Sequence, residues 1–212
     1  MGFITIATLN VKGANSSATH DKWKAIIHTM LAKRLTILCV LKSHSDNPQI
    51  ERLNSQFGPN LNFIHTHDRD HAHSGGIIIV TNLNKIQRPP SNIVEIKAGR
   101  AISYTINWPE NTQTNILTMY APNPPHENAA LWNQITNYTR ENPATTPNIV
   151  LGDFNMVEDP KDRLPQHPDA MSNVEALQEL KSEIRITDGW RKANPQNVIT
   201  PSNSPWVEAN HK

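Results

Sequence analysis

Polar side chains that bind metals, protons or phosphates follow an apolar run near the end of this sequence. Asp153 and Asn155 come directly after the run Ile149-Val150. In an extended chain, residues two positions apart point to the same side. A carboxylate binds a divalent cation or holds a proton, and a carboxamide donates a hydrogen bond to a phosphate oxygen. The segment 151–155 therefore indicates a functional site, although an ordinary turn explains the same residue types.

Two further strand ends carry side chains of this kind. Asn10 lies in the segment 8–13, directly after an apolar run, and Tyr120 and Asn123 lie at the end of another. Each of these is compatible with an ordinary strand terminus. The ends of strands often meet at one edge of a sheet, which is where α/β proteins bind ligands. We therefore expect the three segments to converge on one site.

The elements that position these residues follow from the spacing of apolar side chains. Alternating or continuous apolar runs predict strands, and apolar residues three or four apart predict helices. A strand, a helix and a second strand at the start of the chain indicate a layered α/β architecture. The strands that follow without intervening helices predict an antiparallel meander. Predicted strands are 3–9, 36–41, 61–64, 76–82, 93–99, 101–108, 114–122 and 148–155; predicted helices are 21–34, 50–57, 126–141 and 174–184, the last opened by a capping box at Ser172–Glu175.

Composition limits the class of protein. A chain of 212 residues is long enough for one domain with a substantial core. Its hydrophobic fraction of 37% is low, so we expect long polar loops around that core. The net charge of +1 gives no basic field over the whole chain. No run is long and apolar enough to span a bilayer and no signal peptide is recognisable, so we expect a soluble protein of the nucleus or cytoplasm, without a membrane partner.

The order of the motifs resembles a known superfamily. The chain contains, in sequence, LNVKG, ILCVLKSH, SGGIIIVTN, YAPN and GDFN, followed by NVEALQELKSEIRITDGWR. This series resembles the endonuclease/exonuclease/phosphatase superfamily, and more narrowly the apurinic-type endonuclease domain of non-LTR retrotransposons, especially fungal ones. The resemblance covers residues 3 to about 191. Each motif alone is weakly specific, and the order and spacing of all of them carry the assignment.

The resemblance implies a fold, a reaction and a set of residue roles. The fold would be a four-layer α/β sandwich, with two mixed sheets between outer helices. The reaction would be hydrolysis of a DNA phosphodiester with Mg²⁺ or Mn²⁺. Asn10 would belong to the metal-ligand network, and Tyr120 and Asn123 would contact the phosphate region. Asp153 would orient or deprotonate the attacking water, and Asn155 would hydrogen-bond the phosphate.

The sequence departs from the pattern of that superfamily at two places. Lys42 stands where the superfamily has its principal metal-ligand glutamate, and a protonated lysine has no lone pair for a metal. A final Ser-Asp-His segment of the superfamily has no counterpart in residues 1–212. We therefore expect a C-terminally incomplete domain over residues 1–193, an irregular tail over residues 194–212, and impaired or absent nuclease activity. The alternatives are a binding module for nucleic acid or protein that does not cleave, and a fragment that does not fold stably.

Histidines and an arginine outside these motifs have two interpretations each. His65, His67, His71 and His73 have the chemistry to bind a transition metal, but a solvated loop is the simpler explanation. Arg100 either faces the path of a phosphate or is an ordinary solvated arginine. The oligomeric state does not follow from the sequence.

Overall fold

A computed structural model of the chain describes residues 4–12, 19–68, 70, 75–86, 88–108, 112–195 and 208–209. The described residues form helices and strands in close agreement with the apolar patterning. The helices are α1 (Thr19–Ala32), α2 (Asn47–Phe57), α3 (Pro125–Glu141), α4 (Met171–Glu183) and α5 (Gly189–Ala193). The strands are β1 (Ile4–Asn10), β2 (Ile37–Leu41), β3 (Leu61–Thr66), β4 (Ile77–Asn82), β5 (Ser91–Lys97), β6 (Ala101–Asn107), β7 (Gln113–Tyr120), β8 (Ile149–Asp153) and β9 (Glu208–Ala209).

The strands form two mixed sheets. The first has the order β3-β4-β2-β1-β9, and β1 and β2 run parallel with Asn10 opposite Leu41. The second has the order β5-β6-β7-β8. Strands β5, β6 and β7 form the predicted antiparallel meander, and β8 runs parallel to β7 with Asp153 opposite Tyr120. Each parallel pair is connected through a helix, as parallel pairing requires.

Successive side chains of the central strands point to opposite faces of each sheet, and both faces are buried, which produces three cores and therefore four layers. One core lies between the sheets and joins residues such as Ile37 and Ile79 of the first sheet to Ile102 and Ile116 of the second. The opposite faces of the sheets are covered by helices. Helices α1 and α2 pack on the first sheet, and α3 and α4 pack on the second. The predicted four-layer α/β sandwich is confirmed.

The start of α4 differs from the prediction. The helix begins at Met171, and its N-cap is Ala170, whose side chain makes no capping hydrogen bond. Ser172 is thus already inside the first turn, and the predicted capping box is wrong. A side-chain cap is found instead at α2, where the Asp46 carboxylate accepts a hydrogen bond from the Gln49 N–H. The residues that follow 195 lie outside the described ranges except for β9, so the irregular tail stays a prediction there.

The lone cysteine lies in the core between the sheets. Cys39 is fully buried, with its Sγ 3.3 Å from Thr118 Oγ1 and 3.6 Å from Tyr104 Oη. Burial raises the pKa of this thiol to about 11, because a thiolate loses its hydration there. The thiol is therefore structural and chemically inert in the folded protein.

We expect the buried thiol to make stability depend on alkaline pH. Because its folded pKa is above the ordinary value of 9.0, the neutral thiol favours folding below pH 9, and this contribution is lost as pH rises toward 11. The loss is on the order of 2 kcal/mol. Urea unfolding of wild-type and Cys39→Ala proteins from pH 8 to 11 measures it. The difference in free energy of unfolding between the two proteins should narrow above pH 9. A difference independent of pH would contradict the raised pKa of the Cys39 thiol.

Candidate functional site

The centre of the predicted site is a hydrogen bond between the two sheets. Asn10 ends β1 in the first sheet, and Asp153 ends β8 in the second. Asn10 Nδ2 donates to Asp153 Oδ2 over 2.9 Å. The Lys12 N–H in turn donates to Asn10 Oδ1 over 3.2 Å, which fixes the orientation of the Asn10 amide. The structure therefore brings these predicted site residues together from segments 143 positions apart.

Asn155 connects the same carboxylate to the end of β7. Its N–H donates to Asp153 Oδ1 over 3.1 Å, and its Nδ2 donates to the Ala121 carbonyl over 2.6 Å. Both carboxylate oxygens of Asp153 therefore accept hydrogen bonds from within the protein. Asn155 has a φ of 50°, a left-handed conformation that asparagine tolerates better than most residues. The turn interpretation of this segment is therefore confirmed, and the functional roles of Asp153 and Asn155 stay predictions.

Tyr120 and Asn123 differ in their placement. Tyr120 is buried in the core between the sheets, next to Asp153 in the β7–β8 pairing. The Arg100 guanidinium lies 5.1 Å from the centre of the Tyr120 ring, in a cation–π arrangement, so Arg100 belongs to this region. Asn123 is exposed in the turn before α3, and no described hydrogen bond joins it to the other predicted residues.

Lys42 follows directly on β2 and is half-buried. Its neighbours fix its backbone, since the Val11 N–H donates to the Leu41 carbonyl over 3.0 Å and the Ser43 N–H donates to the Gly76 carbonyl over 3.1 Å. Its φ of 54° is unusual for a residue with a side chain. Leu41 is opposite Asn10, so Lys42 continues from the strand beside the one that carries Asn10.

Hydrogen bonds between successive strand ends close a ring around the site. We call this set the strand-end ring. Its backbone bonds are Val11 N–H to Leu41, Ser43 N–H to Gly76, Gly76 N–H to Gly99, Tyr120 N–H to Arg100 and Ala121 N–H to Asp153, each to the carbonyl oxygen. The Asn10–Asp153 bond closes the ring from the second sheet back to the first. One continuous set of bonds thus holds both sheets at the end where the site lies.

Gly152 lets β8 approach β7 closely before Asp153. Its φ is +146°, and a Cβ built there would lie 1.8 Å from the Met119 carbonyl oxygen. No side chain fits at such a distance without movement of the β7 backbone. The glycine of the motif is therefore required by the pairing that positions Asp153.

Asn128 is a positioning residue that the sequence reasoning missed. It is fully buried on α3, and its Nδ2 donates to the carbonyls of Pro122 and Phe154 over 3.0 and 2.9 Å. Its Oδ1 accepts from Trp132 Nε1 over 2.7 Å. One amide thus ties the segments after β7 and β8 to the same helix. The available signal was an asparagine four positions before Trp132, on the face where helical spacing predicts an apolar residue.

The donor set at the strand ends does not fit a divalent metal ion. Asp153 is the one carboxylate joined to Asn10 and Asn155, and both its oxygens already accept N–H donors. Across the described ranges, no group of three or more His, Cys, Asp or Glu side chains could hold a metal. Mg²⁺ prefers several oxygen ligands in a near-octahedral arrangement, and Lys42 adds a positive charge nearby.

The histidine-rich segment is described only in part. His65 and His67 stack with ring centres 5.2 Å apart, and His65 Nε2 is 2.9 Å from Asn47 Oδ1. Burial, and then the neighbouring His67, lower the pKa of His65. His71 and His73 lie outside the described residues, so neither the expected solvated loop nor the alternative of a four-histidine metal site is tested.

Comparisons with solved structures define the class of fold. An AP endonuclease from Leishmania major superimposes with a TM-score of 0.71 at 14% identity, over 92% of this chain and 70% of that one. An AP endonuclease from Archaeoglobus fulgidus gives 0.66 at 16% identity, over 92% and 76%. A 3′ phosphatase from Neisseria, bound to a product DNA hairpin, gives 0.64 at 15% identity, over 93% and 77%. The chain therefore has the AP endonuclease/exonuclease/phosphatase fold.

A sequence relative points to mobile elements. An uncharacterized 149 kDa protein of transposon TX1 from Xenopus laevis is 32% identical over 85 residues, which is 40% of this chain. The aligned stretch spans 6% of that protein's length. No protein-family model matches the chain.

A membrane-spanning helix is not among the elements found. None of the helices in the described part of the chain is both long enough and apolar enough to cross a bilayer.

Proposed function

We propose that this chain is a retrotransposon-type endonuclease domain whose ancestral reaction is metal-dependent hydrolysis of a DNA phosphodiester, and that hydrolysis is impaired or absent here. The AP endonuclease fold and the match to a transposon protein support the ancestral function. In the ancestral reaction, Asp153 would orient or deprotonate the attacking water. Asn155, Tyr120 and Asn123 would contact the phosphate, and Asn10 would support the Mg²⁺ or Mn²⁺ ion.

The observation that carries the loss of hydrolysis is Lys42 at the end of β2. By resemblance, this position supplies the glutamate that holds the metal. Two unit charges of like sign 4 Å apart repel by about 4 kcal/mol at an effective dielectric constant of about 20, and a divalent ion doubles this value. Asp153 is then the one carboxylate in the hydrogen-bonded cluster. Without a metal, the charge that develops on the phosphate in the transition state has lost its main source of stabilisation.

Plasmid nicking tests the proposed loss of hydrolysis. Supercoiled plasmid incubated with the wild-type protein and Mg²⁺ or Mn²⁺ is expected to remain supercoiled, at the level of an Asp153→Ala control, because the metal is excluded. Gel electrophoresis over a range of protein concentrations measures the relaxed product. Nicking by the wild type that the Asp153→Ala protein lacks would show that the site is active.

The reverse substitution identifies what limits the reaction. Lys42→Glu is expected to restore Mg²⁺ binding, measured by isothermal titration calorimetry, since it replaces a cation with an oxygen ligand. If Mg²⁺ binds to this variant and cleavage stays absent, a second defect besides Lys42 limits the reaction.

The second candidate function is a binding module that retains a nucleic-acid or protein surface without cleavage. The positive charges at the strand ends favour it, because Lys12 and Lys42 both lie on segments that flank the Asn10–Asp153 bond. Lysines at a site contribute to phosphate binding by charge.

A further inference from the structure

We propose that the site inside the strand-end ring binds one phosphate group of a nucleic-acid backbone without a metal ion, with Lys42 supplying the positive charge. This inference rests on the proposed nucleic-acid partner and deepens it. It differs from the ancestral reaction because the cation that faces the phosphate is part of the protein.

The first support is the state of Lys42. The side chain is half-buried, and within the described ranges it forms neither an ion pair nor a hydrogen bond. An ammonium group without an ion-pair partner among the described residues attracts an anion that binds beside it. Ser43, the next residue, is 1% exposed, and its hydroxyl has no hydrogen-bond partner in the described part of the protein. The Lys42 ammonium group is thus the donor that this strand end leaves for a ligand.

The second support is that the Asp153 carboxylate already accepts hydrogen bonds from within the protein. An ionised carboxylate normally repels a phosphate, but both oxygens of Asp153 accept N–H donors from Asn10 and Asn155. The donor from Asn10 is its side-chain amide and the donor from Asn155 is its backbone N–H. The side-chain amides of Asn10 and Asn155 each carry two N–H groups. The hydrogen bonds above account for one N–H of Asn10 and one N–H of the Asn155 amide. The second N–H of each amide is a donor of the kind that recognises a phosphate oxygen.

The third support is the balance of charge around the ring. Lys12, Lys42 and Arg100 contribute three positive charges. Asp153 contributes one negative charge, and Asp68, which packs against Gly99, contributes a second. Glu95 contributes a third, because its carboxylate accepts from the Thr66 hydroxyl that binds the Gly99 N–H, so the three positive charges are balanced. The Arg100 guanidinium lies 5.1 Å from the centre of the Tyr120 ring. The region therefore carries no net negative charge that would repel a phosphodiester.

Fluorescence anisotropy with a fluorescein-labelled 20-base-pair DNA duplex tests the proposal. The wild-type protein is expected to bind in EDTA, and added Mg²⁺ should leave the affinity unchanged or weaken it. Lys42→Gln should weaken binding by roughly tenfold and lower the slope of log K against log salt by about 1, as the loss of one phosphate contact predicts. Inorganic phosphate should displace the duplex from the wild type more effectively than chloride does at the same ionic strength.

A matched control distinguishes phosphate binding at Lys42 from nonspecific attraction between DNA and any surface lysine. Lys24 lies on α1 with its side chain 54% exposed, and Lys24→Gln removes the same charge there. The affinity of the Lys24→Gln protein for the duplex should stay within about twofold of the wild type. The Lys42→Arg protein, which keeps the positive charge, should retain most of the binding. Far-UV circular dichroism checks that each variant is folded. Equal losses in Lys24→Gln and Lys42→Gln, or duplex binding only in the presence of Mg²⁺, would overturn the proposal.

The outcomes separate this inference from the proposed function. Plasmid nicking in Mg²⁺ would overturn the loss of hydrolysis, whatever the result in EDTA. An intact plasmid together with no duplex binding in EDTA would overturn the metal-free phosphate site and leave the proposed loss of hydrolysis standing.

Discussion

Gly152→Ala is expected to lower the free energy of unfolding by about 3–5 kcal/mol, at the upper end of what single substitutions do. An alanine Cβ at this position would overlap the Met119 carbonyl oxygen, 1.8 Å away, and the φ of +146° is unfavourable for a residue with a side chain. The strain has no flexible side chain to absorb it, because the atoms in contact belong to the β7 backbone. Relief therefore requires β8 to separate from β7.

Gly189→Ala is the matched control. A Cβ built on Gly189 has no atom within 4 Å, and the residue lies at the start of α5. Alanine is well tolerated in a helix. The free energy of unfolding of the Gly189→Ala protein should therefore stay within about 0.5 kcal/mol of the wild type or rise slightly. Urea unfolding followed by circular dichroism compares the two variants. Similar stabilities for Gly152→Ala and Gly189→Ala would mean that the close β7–β8 approach is not real.

Asn128→Asp is expected to cost roughly 3–5 kcal/mol, which is the scale for a buried charge without a partner. The change is nearly isosteric, but it replaces the donor to the Pro122 and Phe154 carbonyls with a second acceptor. Three oxygen atoms would then face one another without a hydrogen between them. We therefore expect the segments after β7 and β8 to move away from α3, and the positions of Tyr120 and Asp153 to loosen with them.

Asn133→Asp provides the same chemical change on the same helix at an exposed position. Its effect on urea unfolding should be within about 0.5 kcal/mol. The NMR amide shifts of Ala121, Asn123 and residues 153–155 should change in Asn128→Asp and not in Asn133→Asp. Unchanged shifts together with a stability loss would assign Asn128 a packing role alone.

The sequence was sufficient for the layers because the apolar pattern of this fold is local. Continuous apolar runs such as 36–41 and 76–82 became fully buried central strands, and the helical spacing of Leu131, Trp132 and Ile135 became the core face of α3. These features depend on residues that are near one another in the chain, and periodicity reports on them directly.

Other features depend on contacts between distant segments and were not predictable in the same way. The Asn10–Asp153 bond crosses from one sheet to the other, and no local pattern encodes such a partner. The bond from Asn155 Nδ2 to the Ala121 carbonyl likewise joins segments 34 positions apart. The predicted capping box failed because Ala170 and Met171 extend the helix upstream, where the sequence gives no side-chain signal.

The strand-end ring affects how a loss of hydrolysis can be recognised from a sequence of this fold. Asn10 and Asp153 close the ring, so the residues that look catalytic are also the ones that hold the two sheets together. Under the proposed loss of hydrolysis at Lys42, these residues would remain under selection for folding alone. In such a chain the GDFN motif would be retained because the fold needs it. Whether the chain still hydrolyses DNA would then have to be judged from residues outside the ring.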